Sequence, residues 1–202
     1  MSEYLFELLT EEIPAWMYGS FTTPVQAELT KLAEELGGGT FKLDATPRRL
    51  IIFLRDLPGR EADKELEVKG PPKKSAYDAN GKPTAALHGF LKKQSSSLED
   101  VLESTDEYVR IRRRIAGRDV REILAERIPQ LVQSIRWPKM MRWGKGEYSY
   151  IRPIHAVLSL FDGEHLPISI FGVASGTKTK GHRTLAPQEI EVTSYLDYVS
   201  KL

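Results

Sequence analysis

The segment at residues 136–145 combines four cations with two tryptophans and two methionines. It has no acidic residue, and its cations alternate with large apolar side chains. The cations are Arg136, Lys139, Arg142 and Lys145, and the tryptophans are Trp137 and Trp143. If exposed, these side chains would bind RNA, because rings stack on bases and cations bind phosphates. If buried, the tryptophans would anchor a core while the cations reach solvent. The sequence leaves both alternatives open.

A second basic segment, at residues 107–121, alternates apolar residues with arginines, which is the period of a strand with one buried face. Its arginines are Arg110, Arg112, Arg113, Arg114, Arg118 and Arg121. One interpretation is a surface that follows phosphates, since each arginine that neutralises a phosphate releases counterions. The other is a solvated sheet face that pairs with the acidic N-terminal helix.

Further cations lie in a glycine-containing segment at residues 175–183, which is predicted to be a loop able to approach a phosphate backbone. They are Lys178, Lys180, His182 and Arg183. Three arginines elsewhere in the sequence, Arg48, Arg49 and Arg152, complete the set of basic residues. A charged run is usually a solvated surface, but several such segments favour RNA or an acidic partner. Phosphate contact that is independent of base sequence is the minimum they predict.

Known catalytic motifs are absent from the sequence. Its two Gly-Lys pairs are followed by proline and glycine, so it encodes no phosphate-binding P-loop. The four histidines lack H-E-x-x-H spacing, and no serine lies in G-x-S-x-G. Glu11 and Glu12 could be paired acids, but adjacent side chains at a strand exit point apart, so turn or cap polarity is preferred. We predict no catalytic residue and no metal ligand.

Composition excludes several other classes of protein. The 202 residues contain no cysteine, which excludes disulfides, thiolate metal sites and cysteine nucleophiles. No apolar run approaches the ~20 residues of a membrane span, and Glu3 and Glu7 lie where a secretory leader would be basic. The net charge of +1 conceals an acidic region at residues 1–38 and a basic remainder. We expect a cytoplasmic protein without a membrane partner.

The elements that must position these residues form an α+β pattern with largely antiparallel sheets and several packed helices. Strands are predicted at residues 4–9, 40–43, 50–54, 66–68, 108–115, 154–161, 166–173 and 189–192. Helices are predicted between residues 15 and 36 with Pro24 in the first turn, from Pro83, from Asp119 and from Ser194. A long loop is predicted between the strands at 40–43 and 50–54. The polar stretch at 56–82 is a candidate internal boundary, which allows two lobes.

Short motifs follow one another along nearly the whole chain. They are Leu5-Phe6-Glu7 with Thr10-Glu11-Glu12-Ile13-Pro14, Thr46-Pro47-Arg48-Arg49-Leu50, Lys69-Gly70-Pro71, Gly81-Lys82-Pro83-Thr84-Ala85-Ala86, Pro138-Lys139-Met140-Met141-Arg142-Trp143-Gly144, Ile151-Arg152-Pro153-Ile154-His155 and Gly181-His182-Arg183. In this order the series resembles the N-terminal region of the β subunit of bacterial heterotetrameric (α2β2) glycyl-tRNA synthetase. Because that subunit is considerably longer, the resemblance implies that residues 1–202 are its N-terminal tRNA-handling region.

The resemblance implies a share in the ATP-dependent ligation of glycine to tRNA(Gly), with catalysis on the separate α subunit. ATP and magnesium are expected there, and no cofactor is expected in this region, which should be inactive alone. The expected partners are tRNA(Gly), the α subunit and the remaining β-subunit domains. The rival function is a docking module for the α subunit or the rest of β. Hydrolytic editing ranks low, because a glycine site excludes larger amino acids sterically.

Physical chemistry divides the motif residues into two groups. Backbone geometry explains the prolines and glycines, which are Pro47, Gly70, Pro71, Pro83, Gly144 and Gly181. The cationic motif residues have N–H groups that can donate to a phosphate, a 2′-hydroxyl or a base edge. With the neighbouring lysines and one tryptophan, the predicted RNA-binding set is Arg48, Arg49, Lys139, Arg142, Trp143, Arg152, Lys178, Lys180, His182 and Arg183.

Overall fold

The computed structural model describes residues 2–102, 107–143 and 147–202, and it confirms the α+β prediction. The strands are β1 (Ser2–Thr10), β2 (Thr40–Thr46), β3 (Arg49–Leu57), β4 (Lys64–Pro72), β5 (Val101–Leu102), β6 (Tyr108–Ile115), β7 (Met141–Arg142), β8 (Ser149–Tyr150), β9 (Ile154–Phe161), β10 (Glu164–His165), β11 (Ser169–Ile170), β12 (Val173–Gly176), β13 (Lys178–Lys180) and β14 (Glu189–Glu191). The helices are α1 (Tyr18–Glu35), α2 (Lys73–Ala76), α3 (Ala85–Gln94), α4 (Val120–Ser134) and α5 (Tyr195–Lys201), with short 3-10 turns at Ala15–Met17 and Leu98–Asp100. None of the helices among these residues is long and apolar enough to cross a membrane.

The chain forms two compact units. The large unit contains the residues up to Glu61 together with Arg118–Leu202, and the inserted unit contains Ala62–Gly117. The first boundary falls inside the polar stretch at 56–82, and the second follows the glycine after β6. All ten predicted RNA-binding residues belong to the large unit.

Strand β1 lies inside the main sheet of the large unit, whose strand order is β11-β12-β9-β1-β3-β2. It pairs antiparallel with β3 and β9, while the β12–β9 pair is parallel. Because alternate side chains of a strand point to opposite faces, Tyr4 and Phe6 join the main core, whereas Leu5 packs with Ile51 in a second cluster. Both faces are covered, so β1 is buried along its last seven residues.

Helix α1 begins at Tyr18, six residues before Pro24. Pro24 lies inside the helix and not in its first turn, so that prediction is wrong. An interior proline costs about 3 kcal/mol, because its missing N–H cannot bond the carbonyl of Ser20. Met17, Phe21 and Val25 nevertheless bury their side chains in the main core. At about 1.5–3 kcal/mol each, this burial offsets the cost of the proline.

The β2–β3 hairpin is tighter than predicted. Thr46 pairs with Arg49, so the connection consists of Pro47 and Arg48 and not of a long loop. The ring of Pro47 fixes φ at the first of these two turn positions. The turn separates the adjacent arginines, because Arg48 lies in the turn and Arg49 already belongs to β3.

The last third of the chain contains shorter strands than predicted. The single strand expected at residues 166–173 is wrong: Phe171 and Gly172 both have positive φ and form a turn between β11 and β12. The basic segment at 175–183, predicted as a loop, contains β13, which pairs with β14. Glycine tolerates positive φ, so Gly172 allows the turn between β11 and β12 within an otherwise apolar run.

The inserted unit is a three-stranded sheet of order β4-β6-β5 with helix α3 on one face. Val109 and Ile111 of β6 contribute to a small core with Leu87 and Leu91 of α3. At Gly70, a Cβ atom would lie 2.8 Å from the ring of Phe90, so close packing requires glycine there. The opposite face of β6 carries Arg110, Arg112 and Arg114, whereas Arg113 lies on the helix side, where it donates to Gln94 of α3.

Candidate nucleic-acid interface

Four sequence motifs that are far apart in the chain meet where β1 ends. Backbone hydrogen bonds join residues 10–13 to the β2–β3 turn and to residues 151–155. The amide and carbonyl partners are Thr10 and Arg48 at 2.8 Å, Ile13 and Pro47 at 2.6 Å, and Glu11 and Pro153 at 3.1 Å. Residues 181–184 line the same pocket as the turn. We call residues 10–13, 46–49, 151–155 and 181–184 the β1-exit cluster.

A pocket of about 330 Å³ opens in the β1-exit cluster. Its walls include Glu12, Pro47, Arg48, His182, Arg183 and Thr184. This volume lies at the lower end of the range for small-molecule sites, and a few convergent polar groups are typical of such sites. Arg48 and Arg183 give the pocket the chemistry of an anion site.

Arg48 is held in place and still has donors for a ligand. Its Nε donates to the carbonyl of Thr10 at 3.2 Å, and one Nη atom lies 3.9 Å from the carboxylate of Glu11. Arg183 is exposed and forms no salt bridge with any residue that the structure describes. Arg152 donates from Nε to the carbonyl of Glu12 at 2.8 Å, which places a third arginine beside the pocket wall.

His182 is fixed as a hydrogen-bond donor. Its Nδ1 lies 3.3 Å from the amides of both Thr184 and Leu185. A backbone amide can only donate, so Nδ1 accepts and the proton of the neutral imidazole is on Nε2. The imidazole therefore offers an N–H to an acceptor such as a phosphate oxygen or a base carbonyl.

Arg49 contributes to the pocket wall, but its guanidinium bonds within the protein. Nη1 donates to the carboxylate of Glu7 at 2.6 Å and to the hydroxyl of Thr179 at 2.8 Å, and Nη2 donates to the carbonyl of Lys180. Glu7 also accepts hydrogen bonds from the hydroxyls of Thr179 and Tyr198. The sequence placed Arg49 among the RNA-binding donors, whereas the structure uses its guanidinium to join β1, β3 and β13.

Glu11 and His155 form a polar pair within the β1-exit cluster. Nε2 of His155 lies 2.7 Å from the Glu11 carboxylate. This hydrogen bond is the main cause that lowers the pKa of Glu11 below its ordinary value of 4.5, and the charges of His155, Arg48 and Arg183 lower it further. The sequence interpretation of Glu11 as turn polarity missed this pairing.

Replacing His155 with alanine should therefore raise the pKa of Glu11 toward 4.5. A carboxylate with a lowered pKa stabilises the fold above its ordinary pKa, and that stability is lost as pH falls through the lowered value. A carbon-detected NMR titration of Glu11 measures the shift. His165→Ala is the matched control, since that imidazole bonds Ser175 at 3.0 Å and should leave Glu11 unchanged. An unaltered pKa in His155→Ala would assign the effect to the arginines alone.

The lysines of β13 lie on the exposed side of that strand. Lys178 and Lys180 are exposed, and Thr179 between them is buried against Glu7. Lys178 lies 3.5 Å from the carboxylate of Glu189 on β14. Lys180 forms no salt bridge within the described parts of the chain, so it is the more available of the two cations.

The basic segment after α4 combines a buried tryptophan with exposed cations. Trp137 is buried and packs against Phe21 with ring centroids 4.8 Å apart, so it is a core anchor. Trp143 is partly buried against the main core. Lys139 and Arg142 are exposed. Gly144 and Lys145 of this segment lie outside the described residues.

Three of the four arginines of β6 pair with acids of a neighbouring segment, while Arg113 bonds Gln94 of α3. Arg110 lies 3.3 Å from Glu67, Arg112 lies 3.5 Å from Glu65, and Arg114 lies 2.8 Å from Asp63. Of the two interpretations of this segment, the structure favours the solvated sheet face. These acidic partners of Arg110, Arg112 and Arg114 lie on or next to β4 and not on the N-terminal helix. Arg118, which follows β6, does lie near that helix, 3.8 Å from Glu35.

Comparison with known proteins identifies the family. A family model described as the glycyl-tRNA synthetase beta subunit matches residues 4–202. The chain belongs to this family. The glycine–tRNA ligase beta subunit of Geobacter metallireducens is 38% identical over 210 residues, covering 100% of this chain. Those of Oleidesulfovibrio alaskensis and Thermotoga maritima are 35% and 39% identical over 96% and 91% of it.

The chain spans 28%, 30% and 27% of the length of the O. alaskensis, G. metallireducens and T. maritima relatives. It therefore corresponds to a part of a glycyl-tRNA synthetase beta subunit. Among residues 2–102, 107–143 and 147–202, no group of three or more histidine, aspartate or glutamate side chains is arranged to hold a metal ion.

The structure brings together Arg48, Arg152, His182 and Arg183 of the predicted set. Sequence reasoning missed the roles of three other residues in or beside the β1-exit cluster. Glu7 had a signal, since it is the one carboxylate within the apolar strand predicted at residues 4–9. His155 stands in one of the sequence motifs, but no local pattern pairs it with Glu11, which is 144 residues away. Thr184 likewise became visible only through its position in the pocket wall.

Proposed function

We propose that this chain binds and positions tRNA within a glycine–tRNA ligase. The convergence of distant basic segments at the end of β1 supports this role. Arg48, Arg152 and Arg183 reach the β1-exit cluster from three separate parts of the sequence, where the acids are Glu11 and Glu12. Guanidinium groups bind phosphate oxygens bidentately, which makes arginine suited to this contact.

The β7–β8 pair extends the proposed surface. Arg142 pairs with Ser149, three residues before Arg152. Three residues of extended chain span at most about 10 Å, so the backbone of Arg142 lies close to the β1-exit cluster. An RNA backbone could contact both groups at once.

For the whole enzyme, we propose that ATP and magnesium bind the α subunit, which catalyses the glycylation of tRNA(Gly) in the cytoplasm. The part of β described by this chain would supply RNA contacts and no catalytic residue. Its partners would be tRNA(Gly), the α subunit and the remaining β-subunit domains.

Charge reversal at Arg183 should weaken tRNA(Gly) binding about tenfold and reduce the salt dependence by about one unit of log–log slope. Arg142→Glu should act in the same direction. Binding is measured by fluorescence anisotropy between ~50 and ~200 mM salt. Lys31→Glu on α1 is the control, because Lys31 lies 2.7 Å from Glu28 and outside the proposed surface. Salt-insensitive binding, or an equal loss in the control, would refute the proposal.

A docking function is the second candidate, and one observation favours it. On helix α5, Leu196 and Val199 are 78% and 56% exposed, although Tyr198 is buried. Such an apolar face suits a protein partner. Leu196→Asp should then reduce association with the α subunit or the remaining β domains in sedimentation, while leaving tRNA binding unchanged. Unaltered association would remove the support for docking through α5.

A further inference from the structure

Phosphate binding alone does not explain why the carboxylate of Glu12 lies in the pocket wall. Its side chain is exposed and lines the pocket with Arg48 and Arg183. Its backbone carbonyl accepts from Arg152, but its carboxylate forms no hydrogen bond or salt bridge among the described residues. A carboxylate repels a phosphate through its charge. The pocket therefore suits a ligand that has an anionic part and, separately, N–H donors for Glu12.

The remaining pocket groups favour a nucleotide as that ligand. Arg48 and Arg183 supply donors for a phosphate, and His182 offers its Nε2–H to an oxygen. The pocket of about 330 Å³ is a half-open recess between chain segments, so a base enters it only when that base is not stacked in a duplex. Single-stranded ends and loops of RNA provide such nucleotides.

We propose that the β1-exit pocket holds one unpaired RNA nucleotide, with its phosphate on Arg48 and Arg183 and its exocyclic amino group donating to Glu12. This inference rests on the proposed function, since the strand would belong to the bound tRNA. Adenine, cytosine and guanine carry an exocyclic amino group, whereas uracil presents only an N3–H flanked by two carbonyl oxygens, which repel a carboxylate. The pocket therefore discriminates against uracil.

The test measures the binding of labelled five-nucleotide RNAs of adenine, cytosine or uracil to the 202-residue protein. We expect the adenine and cytosine strands to bind about tenfold more tightly than the uracil strand, which is the effect of one hydrogen bond to a charged group. Glu12→Gln should remove this preference, because an amide both donates and accepts. Glu34→Gln, an equal change of charge at an exposed position of α1, should preserve it.

Three results would overturn the inference while leaving tRNA binding intact. These are equal affinity for all three strands, an unchanged preference in Glu12→Gln, and tRNA binding that no strand competes with. AMP binding more tightly than the adenine strand would assign the pocket to a free nucleotide and would also overturn it. Loss of all RNA binding, including tRNA(Gly), would instead refute the proposed function.

Discussion

Replacing Glu7 with alanine should lower the free energy of unfolding by about 3–5 kcal/mol. Glu7 and Arg49 form a salt bridge of 2.6 Å in which the side chains are only 1% and 13% exposed. Removing Glu7 leaves the Arg49 guanidinium uncompensated in a site that water hardly reaches. It also removes the acceptor for the hydroxyls of Thr179 and Tyr198.

Chemical denaturation measures this loss, and thermal unfolding should show a fall of roughly 6–20 °C for a domain of this size. The control is Glu164→Ala, which breaks the Arg121–Glu164 salt bridge of 2.9 Å, whose side chains are 44% and 71% exposed. Exposed pairs contribute about 0–1 kcal/mol. A Glu7→Ala loss no larger than that of the control would show that the buried network does not support the fold.

Replacing Gly181 with alanine should weaken tRNA(Gly) binding several-fold and destabilise the fold by about 1–3 kcal/mol. A Cβ atom at Gly181 would overlap the backbone carbonyl oxygen of Ala186 and lie 3.0 Å from its side chain. Backbone atoms cannot rotate away as a flexible side chain can, so the segment with His182 and Arg183 must shift. The pocket would lose the alignment of those two residues.

Parallel binding and denaturation measurements test this prediction. Gly176→Ala on β12 is the matched control, because a Cβ there has no atom within 4 Å outside its chain neighbours. That variant should keep both the stability and the affinity of the parent protein. If Gly181→Ala also kept its affinity, the position of residues 181–183 would not matter for RNA binding.

The Glu7 and Gly181 predictions both concern the contacts by which Arg49 joins the buried core to the β1-exit cluster. Arg49 bonds Glu7 in β1 and the carbonyl of Lys180, the residue before Gly181. The buried salt bridge therefore holds the segment that carries His182 and Arg183. Loss of Glu7 should consequently affect RNA binding as well as stability.

Local patterns predicted most of the regular structure. The apolar run of β1, the alternation in β6 and the capping residue Asp119 before α4 each specify an element from neighbouring residues. Predictions failed where distant packing decides. Burial of Phe21 allows α1 to continue through Pro24, and the two-residue turn at 47–48 follows from the β2–β3 register.

The sequence by itself determined the family, the α+β class and the presence of several basic segments, because ordered motifs, periodicity and charge are properties of the chain. Only the tertiary structure decided which cations act together. The β1-exit cluster joins Glu11 to His155 across 144 residues, and the tight turn gives Arg48 and Arg49 different surroundings. Such contacts depend on strand register and burial, which no local stretch of sequence contains.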